Sequence, residues 1–118
     1  MSIAKNWCFT LNNFDEDDLE RFDDLGSNVG SIIKYICIGR EVGENGTSHL
    51  QGFIQFTKKI RLSQVKGYIG VRAHCEVMRG TATQADMYCK KDGDFQTWGE
   101  IALQGTRDYI YMRIVLAQ

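Results

Sequence analysis

The sequence predicts an α+β domain in which a mostly antiparallel central sheet of about five strands packs against helices. Three observations support this fold class: segments of alternating apolar and polar residues, segments of helical apolar spacing, and glycine-containing turns between them. With 118 residues, 43% of them hydrophobic, the chain suits a single core. We expect one domain over residues 1–102, followed by a tail or the start of a linker over residues 103–118.

The first two elements are a strand and an acidic helix. A strand is expected over residues 6–11, where large apolar side chains alternate with smaller ones. The helix begins after Asp15, a favourable N-cap, with Asp18 placed to complete the cap. Its apolar residues recur at helical spacing, and Gly26 is expected to end it in a left-handed turn.

A β-hairpin is predicted next, with strands over residues 32–41 and 48–56. The turn contains Asn45-Gly46, a pair that favours positive backbone angles and an antiparallel return. Alternate side chains of the second hairpin strand are expected to face opposite ways. The core side would receive Leu50, Ile54 and Phe56, and the other side His49, Gln51, Phe53 and Gln55.

The remainder of the chain predicts two helices and two strands. A helix over residues 63–69 is closed by Gly70, and a strand follows over residues 73–78. Thr83 is expected to open the third helix in a capping box with Asp86. A last short strand is expected over residues 95–98.

Cysteine usage and hydropathy restrict the class of protein. The four cysteines contain no C-x-x-C pair, which argues against a zinc knuckle and favours free thiols in a reducing compartment. We interpret Cys89 as a small buried hydrophobe. There is no apolar run of ~18 residues and no cleavable leader, so we expect a soluble, unsecreted protein.

The charges are unevenly distributed although the net charge is only −1. Residues 14–25 hold seven acids against one base, and residues 57–91 hold eight bases against two acids. This asymmetry gives one face the means to attract phosphate. A solvated helix and an ordinary basic surface would give the same count.

Three polar residues of the hairpin form a candidate metal site. His49 and Gln51 are two apart in one strand and therefore face the same way. Hairpin pairing would bring Glu41 beside them. One imidazole, one amide oxygen and one carboxylate suit Mg²⁺ or Mn²⁺, with water and a phosphate oxygen completing the shell.

The third helix carries a candidate nucleophile. Gln84, Tyr88 and Lys91 recur at helical spacing and place a phenol and an ammonium on one surface. Taken singly, each residue more often has a structural role, and the combination is what favours chemistry. A tyrosine oxygen that attacks a phosphodiester would expel a 3′ hydroxyl and keep the 5′ phosphate, a reversible step.

Three segments resemble, in order and spacing, the motifs of the replication initiators (Rep) of small circular single-stranded DNA viruses. They are Cys8-Phe9-Thr10-Leu11-Asn12-Asn13, His49-Leu50-Gln51-Gly52 and Tyr88-Cys89-Lys90-Lys91. The likeness extends from about Trp7 to Glu100 and is greatest to circovirus-type and nanovirus-type members. Their nuclease domain is an HUH endonuclease of RRM-like, ferredoxin-like topology.

The resemblance implies a metal-dependent nickase and ligase of single-stranded or stem-loop origin DNA, acting in rolling-circle replication in the host cell nucleus. It implies that Glu41, His49 and Gln51 bind the ion, that Tyr88 is linked to DNA and that Lys91 assists. DNA contacts would come from Thr10, Asn12 and Asn13. Full-length relatives continue into an oligomerisation segment and a helicase domain, neither of which we expect after Glu100 in this sequence, and the apolar tail over 105–118 departs from the usual polar linker.

Two other classes of function are consistent with parts of the sequence. One is a non-catalytic single-strand binder of RRM-like fold, in which Phe53 or Tyr35 stacks on bases. Phosphate contacts, in this reading or in the nuclease, would come from Lys58, Lys59 and Arg61. The other is a protein-interaction domain that uses the acidic helix or the apolar tail.

Overall fold

A computed structural model describes residues 2–103, which form a five-stranded sheet and three helices. In chain order these are β1 (Ile3–Asn12), α1 (Glu16–Ser27), β2 (Ile33–Val42), β3 (Ser48–Arg61), α2 (Leu62–Ile69), β4 (His74–Val77), α3 (Ala82–Lys90) and β5 (Phe95–Gly99). The strand order is β4-β1-β3-β2-β5, and each neighbouring pair is antiparallel. The predicted fold class is confirmed. The apolar tail over 105–118 lies outside the described residues.

Helices cover both faces of the sheet. On one face, Phe22 of α1 and Val65 and Ile69 of α2 pack into the larger core cluster with the apolar residues of β1. On the other face, α3 packs on Tyr35, Cys37 and Phe53. None of the described helices is long and apolar enough to cross a membrane.

The alternation predicted for β3 is present. The face that carries His49 and Gln51 is not polar along its whole length, because it also contains buried residues. Phe53 lies beneath α3 with none of its surface exposed. Gln55 is also buried, and its amide exchanges hydrogen bonds with the backbone of Ala102 at 2.8 and 3.0 Å. β3 also continues to Arg61 rather than ending at Phe56. Its alternation is interrupted there by a bulge against β1.

α1 begins as predicted and ends differently. The side chain of Asp15 accepts a hydrogen bond from the backbone N–H of Asp18, and the side chain of Asp18 accepts one from the backbone N–H of Asp15, both at 3.0 Å. The prediction that Gly26 ends the helix is wrong, because α1 continues to Ser27. Gly26 instead admits the indole of Trp98, which a Cβ at this position would overlap. A packing requirement of β5 therefore explains the glycine.

The predicted start of α3 is also wrong. Thr81, not Thr83, is the N-cap, and it forms the capping box with Gln84. Thr83 and Asp86 are both buried on the side of α3 that faces the sheet. The helix ends at Lys90, three residues before Gly93, whose N–H donates to the Lys90 carbonyl at 3.0 Å.

Candidate active site

The turn end of the β2–β3 hairpin brings together two of the predicted metal ligands. Glu41 and His49 are direct cross-strand partners, and Glu41 Oε1 lies 2.9 Å from His49 Nε2. Both side chains are largely shielded from solvent, with 9% and 21% of their side-chain surface exposed. The prediction that hairpin pairing places the carboxylate beside the imidazole is confirmed.

The third predicted ligand, Gln51, lies two residue pairs further along the same hairpin. It is opposite Gly39 of β2 and Thr10 of β1. The Thr10 hydroxyl donates to Gln51 Oε1 at 3.2 Å, and the Gln51 amide nitrogen donates to the Phe9 carbonyl at 3.4 Å. These contacts fix the amide with its oxygen towards β1.

Tyr88 of α3 borders the same depression as Gln51. The two residues line a cleft of about 250 Å³, and 53% of the Tyr88 surface is exposed. Further cleft-lining side chains come from β4, from the segment after it and from the start of α3: Glu76, Arg79 and Gln84. An exposed phenol and an amide of the hairpin thus lie on one surface.

Lys91, the C-cap of α3, links the helix to the hairpin. Its ammonium forms an ion pair with Glu41 Oε2 and lies 4.4 Å from the centroid of the Tyr88 ring. Glu41 therefore contacts His49 through Oε1 and Lys91 through Oε2. The prediction that a phenol and an ammonium share one surface is confirmed in this geometry.

The ion pair between Glu41 and Lys91 stabilises the charged form of each residue. Burial raises the pKa of Glu41, but hydrogen bonds from Lys91 and His49 outweigh burial and hold that pKa below its ordinary value. Burial lowers the pKa of Lys91, and the hydrogen bond and charge of Glu41 more than compensate, so that pKa is raised. The site is therefore held as carboxylate and ammonium at neutral pH.

A buried network that sequence reasoning missed anchors α3 to β2. Asp86 is 1% exposed, and its Oδ1 accepts a hydrogen bond from the Tyr35 hydroxyl at 2.5 Å. Its Oδ2 lies 2.8 Å from the Lys90 ammonium, which is 5.3 Å from the ring centroid of Phe95. The spacing of Asp86 and Lys90 by four residues was the only available signal. The network fixes the rotation of the helix that carries Tyr88.

The cysteines around the site are protonated. Burial, and then the charge of Glu76, raise the pKa of Cys8 to about 11. A hydrogen bond with Cys37, and then burial, raise the pKa of Cys89. Cys37 and Cys89 are both free and buried, as the interpretation of Cys89 as a small hydrophobe predicted. Cys8 and Cys89 are therefore poor nucleophiles.

The predicted DNA contacts fall into two separate groups. Thr10 touches Gln51, Asn12 is opposite His49, and Asn13, in a left-handed conformation at φ 53°, donates its N–H to Ser48 at 2.8 Å. These three residues border the site. The structure does not bring the second group to it: Lys58, Lys59 and Arg61 lie at the other end of β3.

Two aromatic residues considered for base stacking are not available for it. Phe53 has none of its surface exposed and Tyr35 has 4%, because both rings lie between the sheet and α3. The stacking role assigned to them is therefore wrong. His74, by contrast, is exposed on β4 and lies 3.1 Å from Glu76.

The donor set of the hairpin fits a hard divalent ion. Glu41, His49 and Gln51 offer a carboxylate, an imidazole nitrogen and an amide oxygen, the types that Mn²⁺ and Mg²⁺ accept alongside water. Residues 2–103 contain no group of three or more His, Cys, Asp or Glu side chains that could hold a metal. An ion at this place would therefore depend on Gln51 as well as on the Glu41–His49 pair.

The antiparallel sheet and the three motifs that converge on it are those of a viral replication protein. Residues 4–92, most of the chain, match the family described as "Putative viral replication protein". The chain therefore belongs to this family, which confirms the resemblance drawn from its motifs.

Several viral proteins are similar to the chain over nearly all of its length. It is 45% identical over 107 residues to the replication-associated protein of canary circovirus, with 90% of this chain and 35% of that protein covered. Identity to the pigeon circovirus replication-associated protein is 41% over 106 residues, covering 90% and 32%. The replication-associated protein of beak and feather disease virus is 41% identical over 109 residues, with 92% of this chain and 36% of that protein covered. The chain spans about a third of the length of these relatives.

Proposed function

We propose that this chain is the nuclease part of a rolling-circle replication initiator, which nicks and rejoins single-stranded viral origin DNA through Tyr88. The observation that carries the proposal is the contact of Lys91 with both Glu41 and the Tyr88 ring, which joins the two halves of the site. The relatives named replication-associated proteins support the biological context.

The proposed reaction is a transesterification at phosphorus. The Tyr88 oxygen attacks the scissile phosphate, a bond forms between them, and the bond from phosphorus to the 3′ oxygen breaks. The phenol proton ends on the departing 3′ hydroxyl, and the 5′ phosphate remains linked to Tyr88. Because one ester replaces another, a new 3′ hydroxyl can reverse the step and reseal a strand.

We assign the binding of a divalent ion to Glu41, His49 and Gln51. When bound, Mn²⁺ or Mg²⁺ supplies positive charge that polarises the phosphate for attack. His49 is oriented for this by Glu41, and Gln51 by Thr10.

Lys91 has a separate proposed role beside the nucleophile. Its ammonium lies over the Tyr88 ring, where it favours negative charge on the phenol oxygen as the proton leaves. The exposure of Tyr88 leaves this oxygen accessible to a DNA strand.

DNA positioning is proposed for Thr10, Asn12 and Asn13, which border the hairpin end of the site. Their amides and hydroxyl are suited to hydrogen bonds with phosphate and sugar oxygens. Action in the host nucleus and oligomerisation of a longer protein are further expectations from the resemblance. Imaging of the tagged full-length protein in host cells tests the first, and light scattering tests the second.

The test is covalent adduct formation. The protein is incubated with Mn²⁺ and single-stranded oligonucleotides that contain a randomised segment, and the products are digested and analysed by mass spectrometry. We expect a nucleotide 5′ phosphate on Tyr88, its absence in Tyr88→Phe, and its retention in the matched control Tyr68→Phe on α2. An adduct on another residue, or none in the wild type, overturns the proposal.

A further inference from the structure

The end of the sheet opposite the Glu41–His49 pair carries four exposed cationic side chains. They lie on the neighbouring strands β1 and β3, where Ile3 pairs with Arg61. We refer to them as the distal basic cluster: Lys5, Lys58, Lys59 and Arg61.

A break in strand pairing presents this cluster to solvent. The register between β1 and β3 slips so that Lys5 alone lies opposite the β3 residues between Gln55 and Ile60. In a sheet covered on both faces, every residue of a regular strand would have a side chain facing a helix or the core. Here the consecutive residues Thr57, Lys58 and Lys59 are all exposed. The bulge thus directs adjacent cations away from the core.

The cluster has no acidic partner within the described residues. Other basic side chains do form ion pairs there: Arg21, Arg40, Arg72, Lys90 and Lys91. No member of the distal basic cluster takes part in an ion pair within residues 2–103. Four like charges near one another repel, so a polyanion that neutralises them is favoured.

The cluster is remote from the proposed chemistry. From Gln51, which lines the cleft with Tyr88, to Lys58 the strand runs seven residues, about 23 Å at the usual rise of a strand. The longest dimension of the domain is 36 Å. A nucleotide held at Tyr88 is therefore too far from Lys58 and Lys59 to contact them as well.

We propose that the distal basic cluster binds the phosphate backbone of a DNA segment that flanks the nicked strand, about seven nucleotide steps from the cleft at ~3.4 Å per step of duplex. The inference rests on the proposed function. Contacts to phosphate, rather than to bases, follow from the side chains present, because the exposed aromatic residues of the described chain, Tyr88 and Phe95, are not in the cluster. The cluster therefore adds affinity and orientation without reading sequence.

The test measures binding as a function of DNA length and salt. A single-stranded oligonucleotide of about eight nucleotides serves as the short probe, and the same oligonucleotide with about 20 further nucleotides on either side, single-stranded or duplex, serves as the long probe. We expect the wild type to bind one of the long probes more tightly than the short one. The flank that produces the gain, single-stranded or duplex, identifies the DNA form bound.

The decisive variant is Lys58→Ala/Lys59→Ala. It should lose most of the length-dependent gain, and its affinity for the long probe should fall about tenfold less between 50 and 200 mM salt than that of the wild type. Lys58→Arg/Lys59→Arg should keep the gain, and Lys66→Ala on α2 controls for net charge. The proposal is overturned if no long probe binds more tightly than the short one, or if the double alanine variant keeps the full gain.

Adduct formation on the short probe separates this inference from the proposed function. The double alanine variant should form the Tyr88 adduct with the short probe at the wild-type rate, because Lys58 and Lys59 lie at least about 23 Å along β3 from the cleft residue Gln51. A wild type that forms no adduct but shows the length-dependent gain overturns the nuclease assignment and leaves the flank-binding surface intact.

Discussion

The ammonium of Lys91 and the carboxylate of Glu41 are ion-paired, so that one acidic side chain serves both the helix with Tyr88 and the strand with His49. A divalent ion that binds Glu41 must share this carboxylate with Lys91. Lys91→Met removes the competing charge and keeps the length of the side chain. We expect the Kd for Mn²⁺ to fall by about two- to fivefold, since a partly exposed ion pair contributes about 0.4–1 kcal/mol.

Isothermal titration of the DNA-free protein measures this effect without any need for activity. Lys90→Met is the matched control, because Lys90 is the neighbouring residue and pairs with Asp86 rather than with Glu41. Equal or weaker Mn²⁺ binding by Lys91→Met would contradict the idea of competition.

Gly39→Ala tests the close approach of α3 to β2. A Cβ at Gly39 would overlap the Cys89 carbonyl, so the helix must move away from the sheet. We expect a loss of about 1–3 kcal/mol in the free energy of unfolding, and a slower rate of adduct formation at the neighbouring Tyr88. Urea unfolding and a time course of the adduct provide the two measurements.

Gly67→Ala is the control for this substitution. Gly67 lies within α2, and a Cβ there would meet no atom within 4 Å. The same change should stabilise the domain by about 0.5–1 kcal/mol. Similar effects at the two glycines would show that α3 is not held as closely as described.

Tyr35→Phe tests the buried network around Asp86. Removal of the hydroxyl leaves a carboxylate of 1% exposure without one of its donors, which should cost about 1.5–3 kcal/mol of unfolding free energy. The adduct at Tyr88 should also form more slowly, because α3 loses a restraint, while the Kd for oligonucleotide stays constant. Tyr68→Phe is the control variant, and its free energy of unfolding should change by at most about 0.5 kcal/mol. Weaker oligonucleotide binding at an unchanged adduct rate would contradict a positioning role.

Acid should unfold the domain through its paired carboxylates. The pKa of Asp18 is lowered, since its burial is outweighed by hydrogen bonds from Arg21 and the Asp15 backbone and by the charge of Arg72, and the pKa of Glu41 is lowered as well. Groups with a depressed pKa stabilise the fold fully above their unfolded values, 3.8 and 4.5. That contribution is lost as pH falls through the lower, folded pKa values.

Urea unfolding at a series of pH values below 5 measures this dependence. In Asp18→Asn the decrease of stability with acid should be shallower than in the wild type. Asp23→Asn, on an exposed part of the same helix, should retain the wild-type slope. Parallel curves for Asp18→Asn and the wild type would remove Asp18 from the explanation.

The hairpin half of the site could be predicted from sequence rules that apply to neighbouring residues, because Glu41 and His49 are only eight residues apart in the chain. Asn45-Gly46 and the alternation of the flanking strands are enough to place Glu41 beside His49. The ion pair between Lys91 and Glu41 joins residues 50 apart in the chain, and no periodicity encodes it. The sequence predicted that the Tyr88 phenol and the Lys91 ammonium share one surface. It did not predict that Lys91 contacts Glu41 of β2.

Tertiary packing overrode the local signals at two helix ends. Thr81 and Thr83 are each followed by a suitable capping-box partner, and the burial of Thr83 on the side of α3 that faces the sheet decides between them. Gly26 satisfies the usual rule for a helix end, yet the indole of Trp98, 72 residues later in the chain, accounts for it. Such residues are assigned only when the surrounding elements are known.

The sheet tapers from its middle to its borders. Its central strand, β3, has 14 residues, whereas the two outer strands, β4 and β5, have four and five. Short outer strands offer few free backbone N–H and C=O groups to another molecule. The domain therefore offers little strand edge for aggregation with another sheet.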